Sequence, residues 1–445
     1  MLGHRYGRTI IVSADRCQRR RYAGGGTAQG PRSVAPGRRR PGGQEGLTPP
    51  RGLRTMPPSM KICHVITRLI IGGAQENTLL TCRGLVERGH EVMLAAGQET
   101  GPEGSLWPQA QASGASLVTL EHMRRAVRPA ADLRAIRELT DLFRDYRPDV
   151  VHTHSSKAGI LGREAAARAG VPIIVHTIHG MSFNRTQTAA VRWLYRQLER
   201  RAARRTHRIV CVADAMVRQA VAARLAPPDR FVTIRSGMDT ERFHPDPDLR
   251  ARVRTGWGVG ESGVVVGTVA RLFDNKGYEE IMAAMPAIVG AAPGVRFVWI
   301  GHGPHRERYS QQLDRSGLRH RVTFVGLVTP DEVARLMTGF DILLHASRWE
   351  GLPRAVVQAL LTEVPAVSFD NDGAAEVVVS GQTGVCVPYG DVAGLADAVI
   401  LLAGDARRRA ELGRLGRQRC VAEFDWRTMV ERLDGLYAQL AEAAG

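Results

Sequence analysis

The sequence predicts an α/β protein of two doubly wound domains, each a parallel sheet covered by helices on both faces. Three observations lead there. Short, near-continuous runs rich in Val and Ile recur along the chain, separated by amphipathic stretches of helix length. That is the pattern of parallel strands buried on both sides. The runs fall into two series on either side of a weakly apolar stretch that contains Pro245 and Pro247. Finally, 445 residues are too many for one ordinary core.

The first series comprises residues 61–66, 91–95, 116–120, 149–152, 172–177 and 208–212. The second comprises 264–269, 296–300, 321–325, 341–345, 366–369 and 385–387. Helix-length segments such as 132–146 and 191–204 lie between them. The expected organisation is a first domain over 60–240, a linker at 241–249, a second domain over 250–425 and a closing helix at 426–445. Ligands of such sheets sit outside the carboxyl ends of the strands, so the site is expected where the two domains face each other across a cleft. Residues 1–59 hold twelve Arg against Asp15 and Glu45, glycine clusters and almost no periodic apolar content. A disordered basic tail is expected there, or a start assigned too far upstream, since Met60 opens directly onto a strand. No continuous apolar segment marks this stretch as a secretory signal.

Composition narrows the function classes. Of the net charge of +17, ten units fall within residues 1–59. The modest remainder suits small anionic partners and gives no reason to invoke nucleic acid. The six cysteines are scattered with no CxxC pair, so reduced, cytoplasmic thiols are expected in place of disulfides or structural zinc. No run of eighteen apolar residues occurs, and no membrane-spanning helix is expected.

Four clusters carry chemistry. Gly72 and Gly73 follow the first strand, where glycines let backbone approach a ligand and the next helix N-terminus favours negative charge. His152 and His154 alternate onto one side of a strand near its carboxyl end, with His176 and His179 after the next strand. A single such imidazole is more often a hydrogen-bonded interior group, and His-x-His is also metal-ligand spacing, but no acidic or Cys ligand is evident nearby. Arg271 ends a strand and Lys276 opens a helix five residues on, a pair suited to a diphosphate: the fork of Arg can bind two oxygens while Lys supplies a point charge. The run from Ser347 through Glu350, Gly351, Leu352 and Pro353 to Gln358 links a strand to a helix begun by proline. The later turns Asp370–Glu376 and Gly381–Gly384 repeat that strand–turn–helix logic.

In this order the motifs resemble the retaining glycosyltransferases of the GT-B fold, the group-1 glycosyl transferases of bacterial polysaccharide biosynthesis, from residue 61 to about 431. The resemblance implies two Rossmann-like domains and transfer of a hexosyl-type sugar from a UDP- or GDP-linked donor to a polysaccharide or lipid-linked acceptor. It implies retention at the anomeric carbon and no metal or other cofactor. By resemblance, Gly72 and Gly73 form the loop under the donor phosphates, and His154, with His152 as the alternative, stands beside the transferred sugar. Arg271 and Lys276 form the diphosphate clamp. Glu350 opens the family's Glu-x(7)-Glu motif and touches sugar hydroxyls, with Gly351 and Leu352 beside it in the donor site. Two positions depart from the pattern. Gln358 replaces the second Glu, which binds the ribose, and Ser236-Gly237 stands where Asn-Gly is usual. The acceptor belongs to the first domain, with Arg125 and Lys157 as candidates.

The alternatives are a nucleotide-sugar epimerase, a metal hydrolase built on the histidines, and a non-catalytic sugar-nucleotide-binding protein, the last favoured by Gln358. One further pattern bears on location. Arg192, Arg196, Arg200, Arg204 and Arg208 recur every four residues with Trp193, Leu194, Tyr195 and Leu198 interleaved. This row reads either as a solvated helix face or as a peripheral contact with an anionic membrane surface.

Overall fold

The computed structural model describes residues 59–98, 101, 104–184, 186–260 and 262–444. The basic segment expected at 1–59 therefore lies, apart from Ser59, outside the described residues.

The first sheet has seven strands: β1 (Lys61–Arg68), β2 (Glu91–Gly97), β3 (Ser116–Leu120), β4 (Val150–His154), β5 (Ile173–Ile178), β6 (Arg208–Cys211) and β7 (Phe231–Thr233), in the order β3-β2-β1-β4-β5-β6-β7. The second has six: β8 (Val264–Val269), β9 (Val295–Ile300), β10 (Val322–Gly326), β11 (Ile342–His345), β12 (Ala366–Asp370) and β13 (Gly384–Pro388), in the order β10-β9-β8-β11-β12-β13. Every pairing is parallel. In each sheet the chain winds to one edge from the first strand, then returns to that strand's other side. The winding therefore reverses between β1 and β4 and between β8 and β11, and the loops leaving those strands part to open a crevice. Three of the four chemical clusters identified in the sequence leave these four strands.

All twelve expected strands are present. The thirteenth, β7, is a three-residue edge strand of intermediate burial, too short to show a pattern. The expected linker is shortened by its own prolines. Pro247 is the first residue of the helix Pro247–Gly256, whose first turn tolerates proline, and the Asp246 carboxylate accepts a hydrogen bond from the Leu249 N–H (2.9 Å). Only residues 241–246 connect the domains at that point.

The helix Trp426–Ala444 turns back onto the first domain. Trp426, Met429, Val430, Leu433 and Tyr437 are buried with Ile62, Ile66 and Leu85 of the first sheet and its covering helix. The two passages between domains lie side by side: the Met238 N–H donates to the Phe424 carbonyl (2.8 Å) and the Trp426 N–H to the Met238 carbonyl (3.1 Å). A Cβ on Gly237 would stand 2.5 Å from the Trp426 Cα, so glycine is required there by close approach.

Beneath that helix the first sheet is polar. Register sets His64 opposite His152 and Thr177 opposite His154, so all four share one face. The Tyr437 hydroxyl lies 2.5 Å from His152 Nδ1, and the Thr177 hydroxyl 2.7 Å from its Nε2. His176 lies within β5, not after it, on the opposite face beside Thr153 (2.9 Å). Burial holds all four imidazoles far below their ordinary pKa, His64 at about 3. Neighbouring imidazoles add to this at His152 and His154, and Arg163 does so at His176.

This burial has a measurable consequence. Imidazoles of the unfolded chain titrate near 6.5, whereas the folded set stays neutral to much lower pH. Between those values unfolding takes up protons, so stability falls as pH falls. Urea midpoints are expected to drop steadily from pH 6.5 to pH 5, with more than one proton taken up per molecule unfolded. A flat profile over that range would contradict a neutral, buried set.

Candidate active site

The two switch points face each other across a cleft of about 780 Å³. The first domain contributes the turn Ile70–Glu76 after β1 and His179 after β5. The second contributes Arg271 after β8, the turn Gly301–Pro304 after β9, and the segment Glu350–Ala355 with Gln358 after β11. Two helices, Gly73–Glu87 and Arg354–Leu361, begin at the cleft, and neither has a side-chain N-cap. Their first-turn N–H groups favour an anionic oxygen. Five cationic side chains (Arg68, Arg125, Arg271, Lys276 and Arg354) line the cleft against two carboxylates, Glu76 and Glu350. The wall therefore presents a positive field to any ligand.

Local backbone places Lys276. Lys276 ends a 3₁₀ turn, Asp274–Lys276, closed by Gly277 at φ 74°. A Cβ at that glycine would be 1.9 Å from the Ala346 carbonyl oxygen. Only glycine lets this turn pack on the chain leaving β11, which sets Lys276 beside Glu350. The Lys276 ammonium donates to the Glu350 carboxylate, and the Glu350 N–H donates to Asp372 Oδ2 (2.7 Å). Burial pushes the Glu350 carboxyl up, but Lys276, His345 and hydrogen bonds outweigh it and hold the pKa below its usual value. His345, 3.9 Å away, is lowered to about 4, first by burial and then by Lys276, against the opposing pull of Glu350. Near neutral pH the pocket floor thus carries an anionic Glu350 against a neutral His345.

Nine of the eleven donor- and acceptor-site residues assigned from the resemblance line this cleft: Gly72, Gly73, Arg125, Arg271, Lys276, Glu350, Gly351, Leu352 and Gln358. Two do not. His154 is 1% exposed, with Nδ1 3.1 Å from Nε2 of His179, and of these two it is His179 that lies in the cleft wall. Burial, then Arg354, lowers His179 to about 3. Lys157, which does not line the cleft, pairs with Asp132 (2.6 Å) and donates to the Ala126 carbonyl. The alternative, His152, is held in the sheet interior by Tyr437 and Thr177.

The sequence reading missed two features. Arg354 donates to Glu76 (2.8 Å) and to the Gly237 carbonyl (2.9 Å), tying the second domain to the first. A cation in the first turn of a helix opposes the helix dipole, and that anomaly was the available signal. The turn Gly301-His302-Gly303-Pro304 follows a predicted strand directly, and its Gly-x-Gly spacing could have drawn notice.

His64, His152 and His154 bring ring nitrogens within 4.8 Å of one another, close enough to share a metal ion. Both nitrogens of His152 and of His154 are instead engaged in hydrogen bonds. A metal would have to displace Tyr437, Thr177 or a neighbouring imidazole.

Comparison with known proteins agrees with this architecture. Residues 251–419 match the family model "Glycosyl transferases group 1", and residues 72–237 match the "Glycosyl transferase 4-like domain". The chain is 26% identical over 388 residues to a UDP-Gal:alpha-D-GlcNAc-diphosphoundecaprenol alpha-1,3-galactosyltransferase of Escherichia coli, covering 86% of this chain and 97% of the relative. It is 31% identical over 285 residues to a GDP-mannose-dependent alpha-(1-6)-phosphatidylinositol monomannoside mannosyltransferase of Mycolicibacterium smegmatis, covering 62% and 73%. Among solved structures, HepE of Anabaena superposes with a TM-score of 0.75 at 19% identity, covering 85% of this chain and all of that one. A sucrose-phosphate synthase of Thermosynechococcus elongatus gives 0.74 at 19% identity, covering 86% and 99%. With the motifs in family order along two facing Rossmann-like domains, the chain belongs to the group-1 glycosyl transferases, enzymes of the GT-B fold.

Proposed function

We propose that this enzyme moves a hexosyl-type sugar from a UDP- or GDP-linked donor to a lipid-linked or saccharide acceptor, with retention at the anomeric carbon and without a metal ion. The observation that carries the reading is the convergence, in one positive cleft, of Arg271, Lys276 and the uncapped helix start at Gly72-Gly73. The two relatives named above support it, since one uses UDP-galactose with a diphosphate-linked lipid and the other GDP-mannose with a phosphatidylinositol mannoside. In this reading the nucleotide diphosphate lies against Arg271 and Lys276, Glu350 meets sugar hydroxyls, and Gln358 faces the ribose as an amide. The acceptor oxygen bonds to the anomeric carbon on the face from which the diphosphate departs. The anomeric carbon–oxygen bond breaks, and the acceptor's proton passes to the departing phosphate oxygen. Fixed cations stabilise the charge that develops there. Gln358 favours a second reading, a binding protein without turnover, because an amide lacks the charge-assisted strength of a carboxylate. Turnover with diphosphate-lipid acceptors separates the two, and epimer formation without acceptor would mark an epimerase.

Arg271→Ala and Lys276→Ala are each expected to lower kcat/KM by about 30- to 1,000-fold, equivalent to about 2–4 kcal/mol of lost transition-state stabilisation. Near wild-type kcat/KM in both folded variants would sink the clamp. Dialysis against a chelator should leave the rate unchanged. A loss restored by zinc or manganese would move the chemistry to the histidines.

Attachment to an anionic membrane from the cytoplasmic side is part of the same proposal. No helix of the described residues is long and apolar enough to cross a membrane. On the helix Ala189–Ala203, Trp193 is 61% and Leu194 50% exposed, with Arg201 and Arg204 also outward. The expected arginine row is only partly available. Arg196 and Arg200 donate to the Ala223 and Arg224 carbonyls, and Arg208 lies on β6, beyond the helix. The contact face is therefore an apolar wedge followed by two cations. Trp193→Ser with Leu194→Ser is expected to reduce co-sedimentation of the full chain with anionic vesicles severalfold, with little binding to neutral ones. Equal binding by variant and wild type would remove this helix from the membrane contact.

A further inference from the structure

His179 is the outer end of a chain of three imidazoles running from the cleft into the first domain. Its Nε2 lies 3.1 Å from Nδ1 of His154, and Nε2 of His154 lies 2.9 Å from Nδ1 of His64. The ring planes of His64 and His154 are 19° from parallel and those of His154 and His179 33°, with centroids 5.2 and 5.4 Å apart. At the inner end, His64 Nε2 is buried and has no hydrogen-bond partner. His152, alongside, is occupied separately by two hydroxyl groups.

A neutral imidazole carries one N–H. Two hydrogen bonds among three neutral rings use two of the three protons, so the third N–H falls at one end of the chain. In one direction it is His64 Nε2–H, a buried donor with no acceptor, which bears the full desolvation penalty. In the other direction His64 keeps only a bare lone pair inside, and each ring donates outward: His64 Nδ1–H to His154, then His154 Nδ1–H to His179. His179 then holds its proton on Nδ1, the ring atom not engaged by His154. Orphaned buried N–H groups are the rarer defect, so the second direction is favoured.

We propose that His64 and His154 are positioning residues that fix His179 as its Nδ1–H tautomer, making it a hydrogen-bond donor to an oxygen of the ligand in the cleft. The ligand oxygen is a diphosphate oxygen or a sugar hydroxyl of the donor, and this part rests on the reading of the cleft as a nucleotide-sugar site. The tautomer itself does not. In this arrangement His154, the histidine assigned by resemblance, acts through its neighbour in the cleft, His179.

The test has two arms. In the full chain labelled with ¹⁵N-histidine, long-range proton–nitrogen spectra should show His179 with a protonated Nδ1 and a bare Nε2. Its signals are assigned by their loss in His179→Asn. A protonated Nε2, or an even mixture of tautomers, overturns the proposal. His154→Phe, which leaves His179 Nε2 without its imidazole partner, should convert His179 to a tautomer mixture, and an unchanged spectrum in a folded variant also overturns it. The second arm compares His179→Asn, whose amide N–H falls near the Nδ1 position, with His179→Gln, whose amide falls near Nε2. Asn is expected to keep affinity for UDP- or GDP-glucose within about tenfold while Gln loses far more. Equal or reversed losses overturn the donor role. A loss shared with plain UDP or GDP places the contact on the diphosphate, and one confined to the sugar conjugate places it on the sugar. If the wild type binds no nucleotide while the spectra hold, the donor-site reading fails and the tautomer assignment stands.

Discussion

The cleft depends on the chain passing twice between the sheets at a single place. The segments at Met238 and Asp425 are joined by reciprocal main-chain hydrogen bonds, and the Thr240 hydroxyl donates to the Asp425 carboxylate (2.6 Å). Two adjacent passages constrain relative motion to a rotation near one point, whereas one passage would leave the domains on a swivel. The Gly237 carbonyl, beside that point, accepts from Arg354, whose other arm holds Glu76 in the first turn of the helix after Gly72-Gly73. A residue at the start of a second-domain helix thus senses both the pivot and the first-domain glycine turn.

The same economy governs charge. Lys276 pairs with Glu350 and Arg354 with Glu76, each pair mostly buried. Buried pairs gain little net stability, because desolvation offsets their attraction, and removing one partner strands the other. Their effect is to hold long side chains still. An ammonium has three donors and a guanidinium five, so a diphosphate can be added without breaking the existing contact. Side chains fixed in this way need little reorganisation when charge develops at a leaving group.

The parallel sheets were legible because strands buried on both faces leave near-continuous runs of Val and Ile. β7 was not, since three half-buried residues carry no period. Pro247 was read as part of the linker, although proline with an Asp246 cap starts a helix as readily as it ends one. In the site, motifs declared themselves through local chemistry: a cation at a strand end, glycines before a helix. What stayed hidden depends on partners remote in sequence. Glu76 and Arg354 are 278 residues apart and His64 and His154 are 90 apart. Which imidazole reached the cleft, His154 or His179, follows from how the chain leaves β5, and no spacing encodes that. Arg196 and Arg200 looked solvated on a helical wheel because the carbonyls they bind lie just past the end of another helix, Asp214–Ala222.

His179 joins these strands of the structure. Its carbonyl oxygen is so close to Gly351 that a Cβ there would approach to 2.0 Å, so the backbone after Glu350 rests directly on the backbone after β5. Its ring is held from the opposite direction by His154 and, through that ring, by His64. Those two imidazoles share the face on which His152 binds Tyr437 of the closing helix. The cleft wall is thereby anchored to the interior of the first sheet, and that interior is covered by a helix reached only after the second domain is complete. A residue at the tip of one strand takes its position from three segments distant in sequence, which explains why the first domain keeps so much polarity where an apolar core would be simpler to fold.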